Sequence, residues 1–96
     1  MAFEYDLHDK LREKIKKLGK KDPQRAEILH KKIKQIKDSS LSEIEHYKNL
    51  GHNLSSLKRV HIDKSFVLTF EVNRQKNKIL FVDFDHHDKV YNRGIK

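Results

Sequence analysis

The stretch from Phe66 to Phe84, FVLTFEVNRQKNKILFVDF, constrains the fold more than any other part of the chain. Its first half alternates: Phe66, Leu68, Phe70 and Val72 fall on one side, and Val67, Thr69 and Glu71 on the other. That is the period of a strand with one buried face. Ile79 to Phe84 is apolar at every position but Asp83, the pattern of a central strand covered on both sides. Asn73 to Asn77, between them, is short and polar and makes a hairpin loop. Ahead of this pair Lys58 to Ile62 reads as a further strand, with Val60 and Ile62 on one side and Arg59 and His61 on the other. Three strands in this order predict an antiparallel meander.

An apolar sheet face needs a second layer to cover it, and the upstream residues supply one. From Asp9, read as an N-cap, Leu11, Ile15 and Leu18 recur at helical spacing, and Gly19 follows as a C-cap. Asp22-Pro23 restarts a helix, with Asp as cap and Pro at the first helical position, and Ala26, Leu29, Ile33 and Ile36 form its buried stripe. The link is so short that the two helices should form an antiparallel hairpin. Phe3 to Leu7 alternates apolar and acidic residues, as an edge strand does. Leu41 to Tyr47 reads as a short helical turn capped by Ser40 or Ser42. Gly51, Asn53, Ser55 and Ser56 mark a loop. The expected architecture is a single α+β domain over residues 1–96: an N-terminal strand, a two-helix hairpin, then the meander, with the helices on one face of the sheet. Phe66, Phe70, Phe81 and Phe84 are core by spacing, and any chemistry belongs on the other face.

Hydrophobic residues make up 35% of the chain against 38% charged, so the core is thin, and a partner that covers surface would stabilise it. The absence of cysteine excludes disulfides, thiolate metal ligands and Cys nucleophiles. No apolar run reaches the roughly 18 residues of a membrane span, and the chain reads as cytosolic. The net charge of +8 is unevenly placed: His8 to Lys37 holds twelve Lys/Arg against four Asp/Glu, and the remainder holds ten of each. The whole surplus lies on the helical layer. It suits a polyanion or an acidic protein partner; a solvated lysine-rich surface is the alternative.

The segment KRVHIDKSFVLTFEV followed by ILFVDFDHHDKVY resembles the C-terminal half of the RelE/ParE toxin superfamily, above all its RelE/YafQ-like branch. In that family a basic strand, an aromatic-rich strand and a hydrophobic strand lead to a tail resembling G-H-R-x-x-V-Y, or to a His four residues before a terminal aromatic. Here the tail is Asp85-His86-His87-Asp88-Lys89-Val90-Tyr91. The upstream order of a strand and two basic helices agrees as well, so the resemblance spans nearly the whole chain. It implies a RelE-like fold and the toxin of a type II toxin–antitoxin pair, an mRNA endoribonuclease that acts in the ribosomal A site without a metal or cofactor. The implied partners are an acidic antitoxin encoded beside it, ribosomal RNA and mRNA. Two positions depart from the family: its frequent Arg in the aromatic-rich strand falls at Val67, and the Arg after the tail His is His87.

Metal-free RNA cleavage needs a base for the 2′-OH proton, an acid for the leaving 5′-oxygen, and a cation beside the phosphorus. Histidine, with an unperturbed pKa of about 6.5, can do either proton job near neutrality. His61, on the side of its strand away from Val60 and Ile62, and His87 are the expected acid and base, in either order. His86 is second choice, because neighbours in a strand point in opposite directions. Tyr91 would stack on or hydrogen-bond a nucleotide, or would simply close the core. Lys58, Arg59 and Lys64 would hold phosphate. His52 occupies a loop in which relatives carry a functional His. His8, His30 and His46 read as surface residues. A metal reading of Asp83, Asp85, His86, His87 and Asp88 is set aside, since ligands adjacent in sequence rarely converge on one ion. Two other functions remain open: a non-catalytic toxin on the same fold that poisons DNA gyrase, and a plain nucleic-acid-binding module.

Overall fold

The Asp22-Pro23 step shapes the N-terminal half. Proline has no N–H and disfavours helical geometry in the residue before it. Helix α1 (Asp9–Lys21) therefore stops at Asp22, and α2 (Pro23–Lys37) begins at once. Asp22 caps α2 as expected, its Oδ1 accepting from the Arg25 N–H at 3.1 Å. The computed structural model describes residues 3–49 and 57–88.

Two cap assignments change. Asp9 is the first helical residue of α1, and the N-cap is His8, whose Nδ1 accepts from the Lys10 N–H at 3.2 Å. Gly19 is an interior helical residue, because the proline three residues after Lys20 is a stronger stop than a glycine. A methyl group on Gly19 would meet nothing within 4 Å. Gly19→Ala therefore raises stability by about 0.5–1 kcal/mol, read as a higher urea midpoint with unchanged slope. A lower midpoint would show that the chain at Gly19 is not helical.

Strand β1 (Glu4–Leu7) precedes the helices. They are followed by α3 (Leu41–Glu45), β2 (Lys48–Asn49), β3 (Leu57–Ile62), β4 (Phe66–Asn73) and β5 (Lys78–His86). Ser40 caps α3 in a reciprocal capping box with Glu43. Among the described residues one five-stranded sheet results, in the order β1-β5-β4-β3-β2. β3, β4 and β5 form the antiparallel meander, and β1 runs parallel to β5 along its edge. The two-residue β2, beside β3, was not expected; a pair that short has no periodicity to detect.

The helices cover one face. Leu11, Leu29, Ile33, Ile36 and Ile44 pack with Ile62, Leu68, Phe70, Val72, Ile79, Phe81 and Phe84 in one cluster. Tyr5 is the exception in β1: it is 46% exposed, so the buried anchor of that segment is Phe3.

The apolar run of β5 has a different origin from double coverage. Thr69 pairs with Asp83 and Phe70 pairs with Phe81, which leaves Val82 as an extra residue, a β-bulge. Strict alternation after Ile79 and Phe81 would carry the Asp83 carboxylate into the core, at a large desolvation cost. The bulge shifts the phase, so Phe84 enters the core and Asp83 turns to the opposite face. On that face Leu80 is only half-buried.

Candidate active site at one end of the sheet

On the face turned away from the helices, strand register sets two rows across the meander. Arg59, Thr69 and Asp83 form one, and His61, Val67 and Asp85 the next. His61 is exposed and Arg59 half-buried. Val67 is fully buried, so it places an apolar floor between His61 and Asp85 and no cation.

These rows lead to the end of the sheet where β3 turns into β4 and where β5 finishes. Asp63 adopts φ 58° in that turn, the left-handed geometry an Asp tolerates. The His87 N–H donates to Ser65 O at 2.8 Å. This bond fastens the residue after β5 to the β3–β4 turn, beside the exposed Lys64, and two residues beyond Asp85 in the His61 row. His61, Lys64 and His87 thus lie toward the same end of the sheet, on β3, on the β3–β4 turn and just after β5. The side chains of His86 and His87 are 41% and 44% exposed, open to a solvent-borne ligand.

Two positioning residues escaped the sequence reading. Arg25 stacks its guanidinium 4.3 Å above the Phe66 ring. It also reaches Asp22 at 2.9 Å and Asp63 at 3.5 Å. It therefore clamps the β3–β4 turn to the start of α2. Its spacing three residues after the cap Asp22 was legible, but its contact with Asp63 was not. Lys14, from α1, bridges the carboxylates of Asp83 and Asp85 at 2.7 and 3.0 Å, which balances two negative charges on a surface proposed to meet phosphate. Partial burial pulls the Lys14 pKa down, but its hydrogen bonds to Asp83 and Asp85 outweigh that and leave it above the ordinary lysine value.

A raised lysine pKa stabilises the fold while the group is charged in both states. That contribution is present below the unfolded value of 10.5 and is lost as pH rises through the higher folded value. Lys14→Met leaves both carboxylates without that partner. After discounting for solvent screening, it costs about 1–2 kcal/mol in chemical denaturation at neutral pH. A Lys14→Met midpoint equal to that of the unsubstituted chain would remove the bridge from the account.

Lys58 leaves the phosphate-binding set. It pairs with Phe70 in register, so it lies on the helical side, is 5% exposed, and donates from Nζ to Tyr47 O at 3.1 Å. The alternation that put Arg59 and His61 outward necessarily turns Lys58 inward. The pairing of His86 with His87 also differs from expectation. β5 ends at His86 and the backbone is helical from His87, so strand alternation no longer applies and the two rings lie 5.4 Å apart. His52 and Tyr91 lie outside the described residues. A cleft of about 320 Å³ lined by Gln35, Asp38, Ser39, Glu43, His46 and Tyr47 contains none of the site histidines, and its carboxylates have the wrong sign for phosphate.

Among the described residues no helix is long and apolar enough to cross a membrane. No protein-family model matches the chain. Over its full length the fold matches a solved structure of E. coli toxin RelE, a double arginine-to-alanine mutant in complex with an antitoxin RelBc peptide. The TM-score is 0.62 at 17% identity, with 97% of that chain covered. The architecture is therefore that of a RelE-type toxin. In sequence the chain is 42% identical over 91 residues to a Methanocaldococcus jannaschii protein named "Putative toxin RelE4", covering 95% of this chain and 93% of that one. It is also 40% identical over 85 residues to an uncharacterized protein of Methanosarcina mazei, covering 88% and 94%. The chain belongs to the RelE toxin family.

Proposed function

We propose that this RelE-family chain is the toxin of a type II toxin–antitoxin pair, and that it arrests translation by cutting mRNA in the ribosomal A site. The observation that supports the reading is the hydrogen bond from His87 N–H to Ser65 O, which ties the residue after β5 to the turn that carries Lys64 and follows the strand of His61. One imidazole takes the proton of a ribose 2′-OH, and that oxygen attacks the adjacent phosphorus. The bond to the 5′-oxygen breaks, and the other imidazole protonates the leaving oxygen. The products are a 2′,3′-cyclic phosphate and a 5′-OH end. Arg59 and Lys64 steady the charge on the phosphate. Tyr91 holds a neighbouring nucleotide.

No metal enters this scheme. The basic surface of α1 and α2 serves two partners in turn, ribosomal RNA and an acidic antitoxin. The E. coli RelE of similar fold was solved with an antitoxin peptide, which supports a partner of that kind here.

The test is primer extension on mRNA recovered from ribosomes incubated with the purified chain. New 5′-OH ends within codons, absent from naked mRNA given the same treatment, support the reading. Intact mRNA together with DNA-damage signalling on expression would overturn it in favour of a gyrase poison. RNA binding that falls steeply with salt and yields no cleavage would leave a binding module.

A further inference from the structure

Adjacent residues in an extended strand project to opposite faces and cannot share a ligand. The end of β5 escapes that rule because the backbone passes from extended at His86 to helical at His87 and Asp88. As a result one donor atom from each of His86, His87 and Asp88 lies within 4.8 Å of the other two. The Asp88 carboxylate reaches both rings, with Oδ1 2.9 Å from His87 Nδ1 and Oδ2 3.7 Å from His86 Nδ1. Two donors bound to one ion at about 2.1 Å stand about 3 Å apart or slightly more; the His87–Asp88 spacing already matches that, while the set as a whole, within 4.8 Å, closes further around an ion.

The cluster is partly preorganised, because the His86 ring packs edge-on against Phe66 at 5.6 Å. The three side chains are 41%, 44% and 68% exposed, although His87 Nδ1 itself is shielded from solvent, so an ion enters past the exposed Asp88 carboxylate. The contact an ion at His86 Nδ1 displaces is a long one, the 3.3 Å hydrogen bond from the Asp88 N–H.

We propose that His86, His87 and Asp88 form a binding site for a transition-metal dication, with Zn²⁺ as the reference ion. Two imidazoles and one carboxylate occupy one side of the ion, and water fills the other positions. Imidazole donors select Zn²⁺, Ni²⁺ or Cu²⁺ over Mg²⁺ and Ca²⁺, which prefer all-oxygen shells. A bound ion occupies the lone pair through which His87 would move a proton, so the site is inhibitory. That consequence rests on the proposed ribonuclease reading; the binding itself does not.

The experiment is calorimetric titration of the full chain, prepared without a histidine tag, with ZnCl₂ and in parallel with MgCl₂. The expected result is one Zn²⁺ bound per chain, no measurable Mg²⁺ uptake, and affinity weakened by roughly tenfold or more in His86→Ala and in His87→Ala. Circular dichroism checks that both variants keep the fold. Absence of saturable Zn²⁺ uptake overturns the proposal. Equal uptake by the His86→Ala/His87→Ala double variant also overturns it, since the ion would then sit on other groups. Neither result touches the ribonuclease reading, which the primer-extension assay decides by itself.

Discussion

On the proposed mechanism, His87→Ala lowers ribosome-dependent mRNA cleavage by about 10²- to 10⁴-fold, the usual weight of one positioned acid or base. Cells expressing the variant resume growth. The thermal midpoint stays within a degree or two of the unsubstituted chain. The reason lies in which part of His87 does what. Its backbone N–H holds the Ser65 carbonyl at 2.8 Å, and alanine keeps that bond and so keeps the end of β5 on the β3–β4 turn. Its side chain is 44% exposed, so truncation empties no core. His61→Ala should produce a loss of similar size, since the proposed mechanism divides one proton-transfer task between the two imidazoles. The two losses should not add in the double variant, because residues that act as a unit are not independent. Full toxicity in both single variants would show that the site lies elsewhere on the domain.

Phe70→Ala has the largest expected effect on stability, about 3–5 kcal/mol. Phe70 is fully buried. It packs edge-on to Tyr47 at 5.5 Å and tilted against Phe81 at 5.9 Å, so its removal leaves a void between those two rings that neither can fill. A small domain has only about 5–15 kcal/mol in hand, and a chain of 96 residues with 35% hydrophobic content stands at the lower end of that range. The thermal midpoint should drop by roughly 15 °C or more. Activity at growth temperature should fall with the folded fraction, and a bound antitoxin should restore part of the stability by mass action. A midpoint near that of the unsubstituted chain would mean that the aromatic centre does not organise the core. The two substitutions separate the two roles: one removes cleavage at constant stability, and the other removes both together.

The meander was legible because its signals are local. The alternation of Phe66, Leu68, Phe70 and Val72 and the polar loop at Asn73–Asn77 each depend on neighbours a few residues away. The helical hairpin at Asp22-Pro23 depends on the backbone chemistry of one dipeptide. Lys58 shows where a local signal was read incompletely: the same alternation that sent Arg59 and His61 outward placed this lysine among the helices, yet its charge suggested a surface role. Gly19 shows two local signals in competition, and the proline prevailed.

Amino-acid order alone determined the α+β layers, the inward set of β4, the outward position of His61 and the concentration of positive charge on α1 and α2. Each follows from propensity and period, which act over one or two turns of chain. Three features were decided only by tertiary structure. The bulge at Val82 turns Asp83 out of the core, because a buried carboxylate costs more than a break in the ladder. Lys14 then meets Asp83 and Asp85 across 69 and 71 residues of sequence. The His87 bond to Ser65 brings the end of β5 to the β3–β4 turn. These contacts join residues far apart along the chain, and their partners are chosen by which surfaces the packed layers bring together, a choice that no local pattern encodes.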